Sequence, residues 1–334
     1  LQTFLWQIYN INISILERIE EMAMKNNEVQ TGALYAGFAY FLWGILPVYW
    51  KFLDHVQADE ILANRIFWSF FFMLVILLAS KKWNAFAETL KGFKTNRKQL
   101  YALVIASLLI STNWFLYIWA VNTDQMIEAS LGYYINPLVS VILGMVVFKE
   151  KLSPAQYVSF GFAFAGVMIL TVSYGRFPWI AIVLALSFGL YGLAKKLIKV
   201  DSAVGLTLET LVVTPIAFIY MIMLFMDGKQ AFLHVSLSSD LLLIGAGAAT
   251  AVPLLYFAKG AQKIPMSMLG FLQYIAPTIT LILGIFVYHE HFTKLHLLSF
   301  MFIWLALTIY SVSRTKLFVH WETKLKRGKG IGIE

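Results

Sequence analysis

Apolar runs of about twenty residues recur along almost the whole chain, separated by short polar links. A hydrocarbon core about 30 Å thick needs about 20 helical residues to cross it. The pattern therefore predicts ten membrane-spanning helices, at 32–50, 61–80, 99–121, 126–148, 154–174, 178–198, 204–226, 240–258, 265–288 and 294–312. Several starts carry local signals. Ser153-Pro154 with Gln156 forms a capping box with proline at the first helical position, and Pro178, Pro265 and Thr293 mark starts in a similar way. The predicted class is an all-α integral membrane protein.

The fourth and ninth spans are copies of each other. Aligned without gaps, residues 134–150 and 274–290 are identical at 8 of 17 positions, among them Tyr134/Tyr274, Pro137/Pro277, Gly144/Gly284 and Glu150/Glu290. Shared composition alone does not produce that agreement, so the chain reads as a duplication. A weaker echo pairs Leu42-Trp43-Gly44 with Leu190-Tyr191-Gly192. The expected organisation is an N-terminal extension at 1–30 outside the fold, five-helix repeats at 31–174 and 175–313, and a basic cytoplasmic tail at 314–334. The extension is too short in its apolar part to span; an interfacial amphipathic helix is the other reading of it.

Composition agrees and charge adds topology. Sixty per cent of residues are hydrophobic and 13% charged, which excludes an ordinary soluble domain. With no cysteine, disulfides and thiolate metal sites are ruled out. The net charge of +8 sits in the links, with no contiguous basic module, so nucleic acid is not an expected partner and anionic lipid is. With both termini cytoplasmic, 21 Lys and Arg residues fall inside and 4 outside, the asymmetry that sets orientation. Five helices per repeat then enter from opposite sides, so the repeats are inverted, an architecture that supplies two states of similar energy open to either face.

The segments ADEILANRIFWSFFF (58–72), NWFLYIWAVN (113–122), EASLGYYINPLVSVILGM (128–145) and GFLQYIAPT (270–278) resemble the RarD-type permeases of the EamA family, in the drug/metabolite transporter superfamily. The resemblance covers about residues 28–315. It implies ten helices, a location in the cytoplasmic membrane and carrier activity. Another name for the family, chloramphenicol-sensitive protein, links it to a drug phenotype without establishing a substrate.

Candidate chemistry lies at mid-membrane. Pro137 and Pro277 each leave a carbonyl without its helical partner, at Tyr133 and Gln273, and such groups at depth must be satisfied by protein or water. A central site is expected from Tyr133, Tyr134 and Asn136 of span four with Gln273 and Tyr274 of span nine; simple packing kinks are the competing reading. Gly132, Asn136, Ser140 and Gly144 form a small-residue ladder expected to let helices approach closely. Trp43, with Tyr191 its counterpart in the second repeat, and the Asn113-Trp114 pair are further substrate-binding candidates. Trp50, Trp83 and Trp179, at span ends, are expected in the interfacial aromatic belts.

Intramembrane charge points to gating or coupling. Arg65 and Glu209 hold matching places in the two repeats but lie near opposite surfaces. Separate partners are therefore expected: Glu128 for Arg65 near the outer face, and Lys259 for Glu209 near the inner one. Snorkelling to the interfaces is the alternative. Glu209 and Glu128 are the deep carboxylates that proton coupling would use. His289-Glu290-His291 with His296 has a metal-like composition but occupies a short link, and reads as loop chemistry. No metalloprotease, phosphate-loop or nucleophile-elbow motif is present; Ala185-Leu-Ser187-Phe-Gly189 lacks the first glycine.

The sequence thus predicts a carrier without cofactor or metal, not an enzyme, moving a small organic solute by alternating access, with secondary active energetics. The competing class is a non-transporting membrane scaffold or membrane enzyme. Aromatics, amides and few fixed charges suit a neutral, zwitterionic or amphipathic solute. Substrate identity, direction, coupling ion and oligomeric state are left open.

Overall fold

The computed structural model describes residues 2–123, 125–288 and 293–313, with 315 and 318; side chains are described from Asn27 onward, apart from 118, 121, 122, 126 and 127. Twelve helices are formed among these residues: α1 Gln2–Lys51, α2 Ala58–Ala79, α3 Trp83–Gly92, α4 Arg97–Asn122, α5 Met126–Val147, α6 Pro154–Tyr174, α7 Trp179–Leu197, α8 Ser202–Met226, α9 Leu237–Lys263, α10 Met266–Gln273, α11 Ile275–Phe286 and α12 Lys294–Ser313. Ten stretches are long and apolar enough to cross a membrane, with α10 and α11 together making the ninth. The predicted capping box is in place, Ser153 Oγ accepting from Gln156 N–H while Gln156 Oε1 accepts from Ser153 N–H.

Two features depart from the sequence pattern. Residues 2–26 continue the first span as one helix, so the chain does not break at the expected edge of the extension. The link after α2, predicted only as a basic connection, folds a ten-residue helix, α3, which buries Phe86 while its one lysine, Lys91, is exposed.

Helix pairing repeats between the halves. α1 packs on α9 as α7 packs on α4, α5 packs on α7 as α1 packs on α10 and α11, and α2 packs on α9 as α8 packs on α4. Three pairs join equivalent helices of the two repeats: α2 with α8, α5 with α10, and α6 with α12. That is the pattern of two five-helix units related by a pseudo-two-fold axis. The closest approaches need glycine. A Cβ on Gly270 would stand 2.6 Å from the Pro137 carbonyl oxygen, and one on Gly247 would stand 2.6 Å from Trp68 Cβ. In lipid, such contacts supply the van der Waals packing that holds helices together.

The two ends of the bundle are packed unequally. On the side of the termini, Tyr40, Leu77, Leu206, Leu254, Phe257 and Met266 belong to one continuous buried cluster. Glu150, just beyond α5, accepts from the N–H groups of Met266 (2.6 Å) and Ser267 (2.9 Å), capping α10. Six residues of α10 are buried, whereas in α11, which runs toward the opposite side, only Gly284 is. The ninth span is tight in its first half, α10, and loosely held in its second, α11.

Candidate functional site

Arg65, in the eighth position of α2, lies about 10 Å along the helix from its start at 1.5 Å per residue. Its guanidinium carbon sits over two indole rings, 4.6 Å from the centroid of Trp50 on α1 and 5.3 Å from that of Trp114 on α4. Its Nε donates to Thr250 Oγ1 on α9 at 2.9 Å. Tyr117 of α4 and Tyr133 of α5 lie within electrostatic reach, with their rings 5.7 Å apart. Five helices thus converge on one cation.

Tyr133 keeps 42% of its surface accessible although α5 packs on α4, α6, α7 and α10. Arg65 is itself part-exposed, so accessible space remains where these helices meet. Among the described residues, no carboxylate lies within 4.0 Å of the guanidinium and its terminal nitrogens bond to no protein group, yet neither nitrogen is sealed from solvent. Taking an ion from water into such a setting costs several kcal/mol. Two ring faces return about 0.5–2 kcal/mol each and the hydroxyl about 1.5–3. The terminal fork, with its donors unused among the described residues, is what makes the site ready for a negative partner.

Below this space, toward the termini, Trp43 packs on Phe188 (5.7 Å) and Phe257 (5.6 Å), making an aromatic floor. Tyr191 lies under it, fully buried, stacked on Phe257 with its hydroxyl donating to Glu209 Oε2 at 3.3 Å. The tyrosine expected to face a solute is therefore sealed away in this conformation.

The other expected central residues divide among three places. Trp114 and Tyr133 line the Arg65 space. Asn113 is spent on the α4–α7 seam, its Nδ2 donating to Leu184 O and Ser187 Oγ, both at 2.9 Å. Tyr134 and Tyr274 meet at the seam between repeats, where the Tyr274 hydroxyl donates to the Tyr134 carbonyl at 3.3 Å, and Tyr134 packs edge-on against Phe300. Asn136 and Gln273, at 2% and 5% exposure, flank the α5–α10 crossing, and Asn136 Oδ1 and Gln273 Oε1 have no partner among the described residues.

The two prolines behave differently. In the ninth span the helical hydrogen-bond pattern is interrupted at Tyr274, three residues before Pro277, though Tyr274 keeps a right-handed helical backbone, whereas α5 runs unbroken through Pro137. The proline is common to both; the packing is not. Helices on several sides hold α5, whereas α11 is supported mainly by α1. The ladder acts as packing: Gly132 lies against Ala181 and Leu184 of α7, and Gly144 against Ser267 and Glu150.

Both expected ion pairs are corrected. Glu128 does not meet Arg65; it accepts from the Tyr174 hydroxyl and from Ile180 N–H, each at 2.7 Å. This places it at the positive end of α7, an alternative that satisfies the carboxylate locally. Glu209 bonds not to Lys259 but to Lys195 Nζ at 2.6 Å, with both side chains only 3% exposed. Lys259 instead lies over the rings of Tyr35 and Tyr256, on the flank of α9 that faces α1. Sequence reading missed Lys195 because it stands among link lysines, and missed Trp50 because its position fits an interfacial belt. Thr250 and Tyr117 carry no sequence signal for their roles. His289, Glu290 and His291 lie outside the described residues; His296 caps its own helix start with Thr293.

Comparison with known proteins agrees with this architecture. The EamA-like transporter family matches residues 30–172 and 178–312. The uncharacterized transporter YojE of Bacillus subtilis is 48% identical over 293 residues, which is 88% of this chain and 97% of that protein. Protein RarD of Escherichia coli is 40% identical over 287 residues, 86% and 96% of the two chains. A solved crystal structure superposes with a TM-score of 0.66 over 86% of this chain and 99% of its own, at 17% identity, a likeness of fold alone. With both five-helix repeats matched and relatives aligned across nearly their whole length, the chain belongs to the EamA-like transporter family.

Proposed function

We propose that this membrane transporter is a secondary carrier of a small organic solute, working by alternating access across the cytoplasmic membrane. One observation carries the reading. An accessible space reaches Arg65 and Tyr133, while the half nearer the termini is closed by a continuous buried cluster and by the Glu150 cap on α10. Inverted repeats make the mirror-image state, sealed outside and open inside, similar in energy. The excess of basic residues in links on the side of the termini makes that side cytoplasmic, so this conformation faces outward. The relatives named as transporters support the same reading.

Exchange of states requires the floor and the Glu150 cap to part while the outer halves close. The Lys195–Glu209 pair beneath the floor is then uncovered, which makes Glu209 the proposed proton-exchanging carboxylate. Because the chain has no cysteine, single-cysteine variants report each side cleanly. Tyr133→Cys is expected to react with an impermeant maleimide from outside and Leu269→Cys to react from inside only when a transported solute drives cycling. Uptake into proteoliposomes from a panel of metabolites and antibiotics gives the direct readout. If no compound moves under a proton, sodium or solute gradient and neither cysteine changes its labelling, the carrier reading gives way to a non-transporting membrane protein.

A further inference from the structure

We infer that Arg65 is the anion-recognition residue of this carrier, holding the carboxylate of an apolar organic acid at the free edge of its guanidinium. The inference rests on the carrier reading and names the class of solute. A guanidinium presents its five N–H donors in its own plane and only π surface above and below. Here the rings of Trp50 and Trp114 lie against the cation and Nε is committed to Thr250. What remains is the terminal fork, unpaired by protein among the described residues and open to the interior space. Two parallel N–H donors match a carboxylate better than any neutral group.

The surroundings define the rest of the solute. Trp50, Trp114, Tyr117 and Tyr133 make the walls, and Trp43 lies in the floor. Such walls favour an apolar or aromatic body, with tyrosine hydroxyls available as donors to the same carboxylate. Glu128 and Glu209 are both engaged elsewhere, so neither competes for the cation. The solute expected from composition as neutral, zwitterionic or amphipathic is thereby narrowed to one with an anionic end.

The purified full chain in phosphatidylcholine nanodiscs is titrated with matched carboxylate–carboxamide pairs on aliphatic, phenyl and indolyl bodies, binding being read from tryptophan fluorescence. At least one carboxylate should bind about ten- to a hundredfold tighter than its amide, the range of one charge-assisted bond. Arg65→Gln should bring the pair within about twofold, and Arg65→Lys should keep part of the preference because the charge survives without the fork. Arg176→Gln, at an exposed arginine outside the space, should leave it unchanged. If Arg65→Gln does not fold, Arg65→Lys and masking of the wild-type arginine by phenylglyoxal, with carboxylate but not amide protecting, give the same readout. The inference is overturned if no carboxylate outbinds its amide, if the preference survives Arg65→Gln, or if added phosphatidylglycerol abolishes it by occupying the site as a lipid headgroup. Solute movement without carboxylate preference would sink this inference and leave the carrier reading standing; preference without movement would do the reverse.

Discussion

The Lys195–Glu209 pair offers a quantitative test of how charge is tolerated inside the closed half. The two groups are 2.6 Å apart, each 3% exposed, and Tyr191 supplies a second bond to Glu209 at 3.3 Å. At an effective dielectric of about 20, two unit charges at that distance attract by about 6 kcal/mol. Desolvation costs several kcal/mol per ion, so the pair as a whole is close to neutral for stability. Removing one member is another matter. Lys195→Met leaves Glu209 buried with only the Tyr191 hydroxyl, and should cost about 3–5 kcal/mol, toward the low end because that hydroxyl remains. The double variant Lys195→Met with Glu209→Leu restores an uncharged interior and should lie within about 1–2 kcal/mol of the parent. Thermal unfolding of the four purified proteins in one detergent closes the double-mutant cycle. Single losses below about 0.5 kcal/mol, or a double variant whose loss equals the sum of the singles, would refute the description of a buried coupled pair.

Three further outcomes follow from particular contacts. Gly247→Ala drives a Cβ into Trp68 and should destabilise by about 1–3 kcal/mol, whereas Gly161→Ala in α6, with open space around it, should be neutral or stabilising by up to about 1 kcal/mol; the same unfolding assay compares them. Glu150→Ala leaves the Met266 and Ser267 N–H groups uncapped, which should cost about 1–2 kcal/mol on the closed side and speed maleimide labelling of Leu269→Cys from the side of the termini. Partial burial pushes the Asp201 carboxyl up, but Lys82 and the N–H groups of Val204 and Ala203 outweigh it and hold the carboxyl below its usual range. A carboxyl lowered by folding contributes stability above its unfolded pKa and loses it as pH falls through the folded one. Lys82→Met should therefore destabilise slightly at neutral pH, by less than about 1 kcal/mol for so exposed a pair, and the difference from the parent should vanish under acid.

Positions along the chain were easier to read than directions around each helix. The ten spans follow from apolar length, and Tyr134/Tyr274 and Pro137/Pro277 announce the duplication directly. Arg65 was visible as an intramembrane charge, and Trp114 and Tyr133 as aromatics at its depth. That no carboxylate meets it among the described residues was not visible, because Glu128 stands at a suitable depth yet faces the start of α7. Glu209 likewise took Lys195 of the preceding helix over Lys259.

Length and repetition are one-dimensional properties, and the sequence alone determined them: an all-helical membrane protein of ten spans, built from two related halves. Partner choice and packing tightness were decided only by the tertiary structure. Each residue turns a helix by about 100°, so an uncertainty of one or two residues in a boundary reassigns which neighbour a side chain meets. Helix rotation put Trp50 over Arg65 and hid Tyr191 beneath Phe257. Unequal packing let the ninth span interrupt its helical bonding at Tyr274 while the same proline unit left α5 whole.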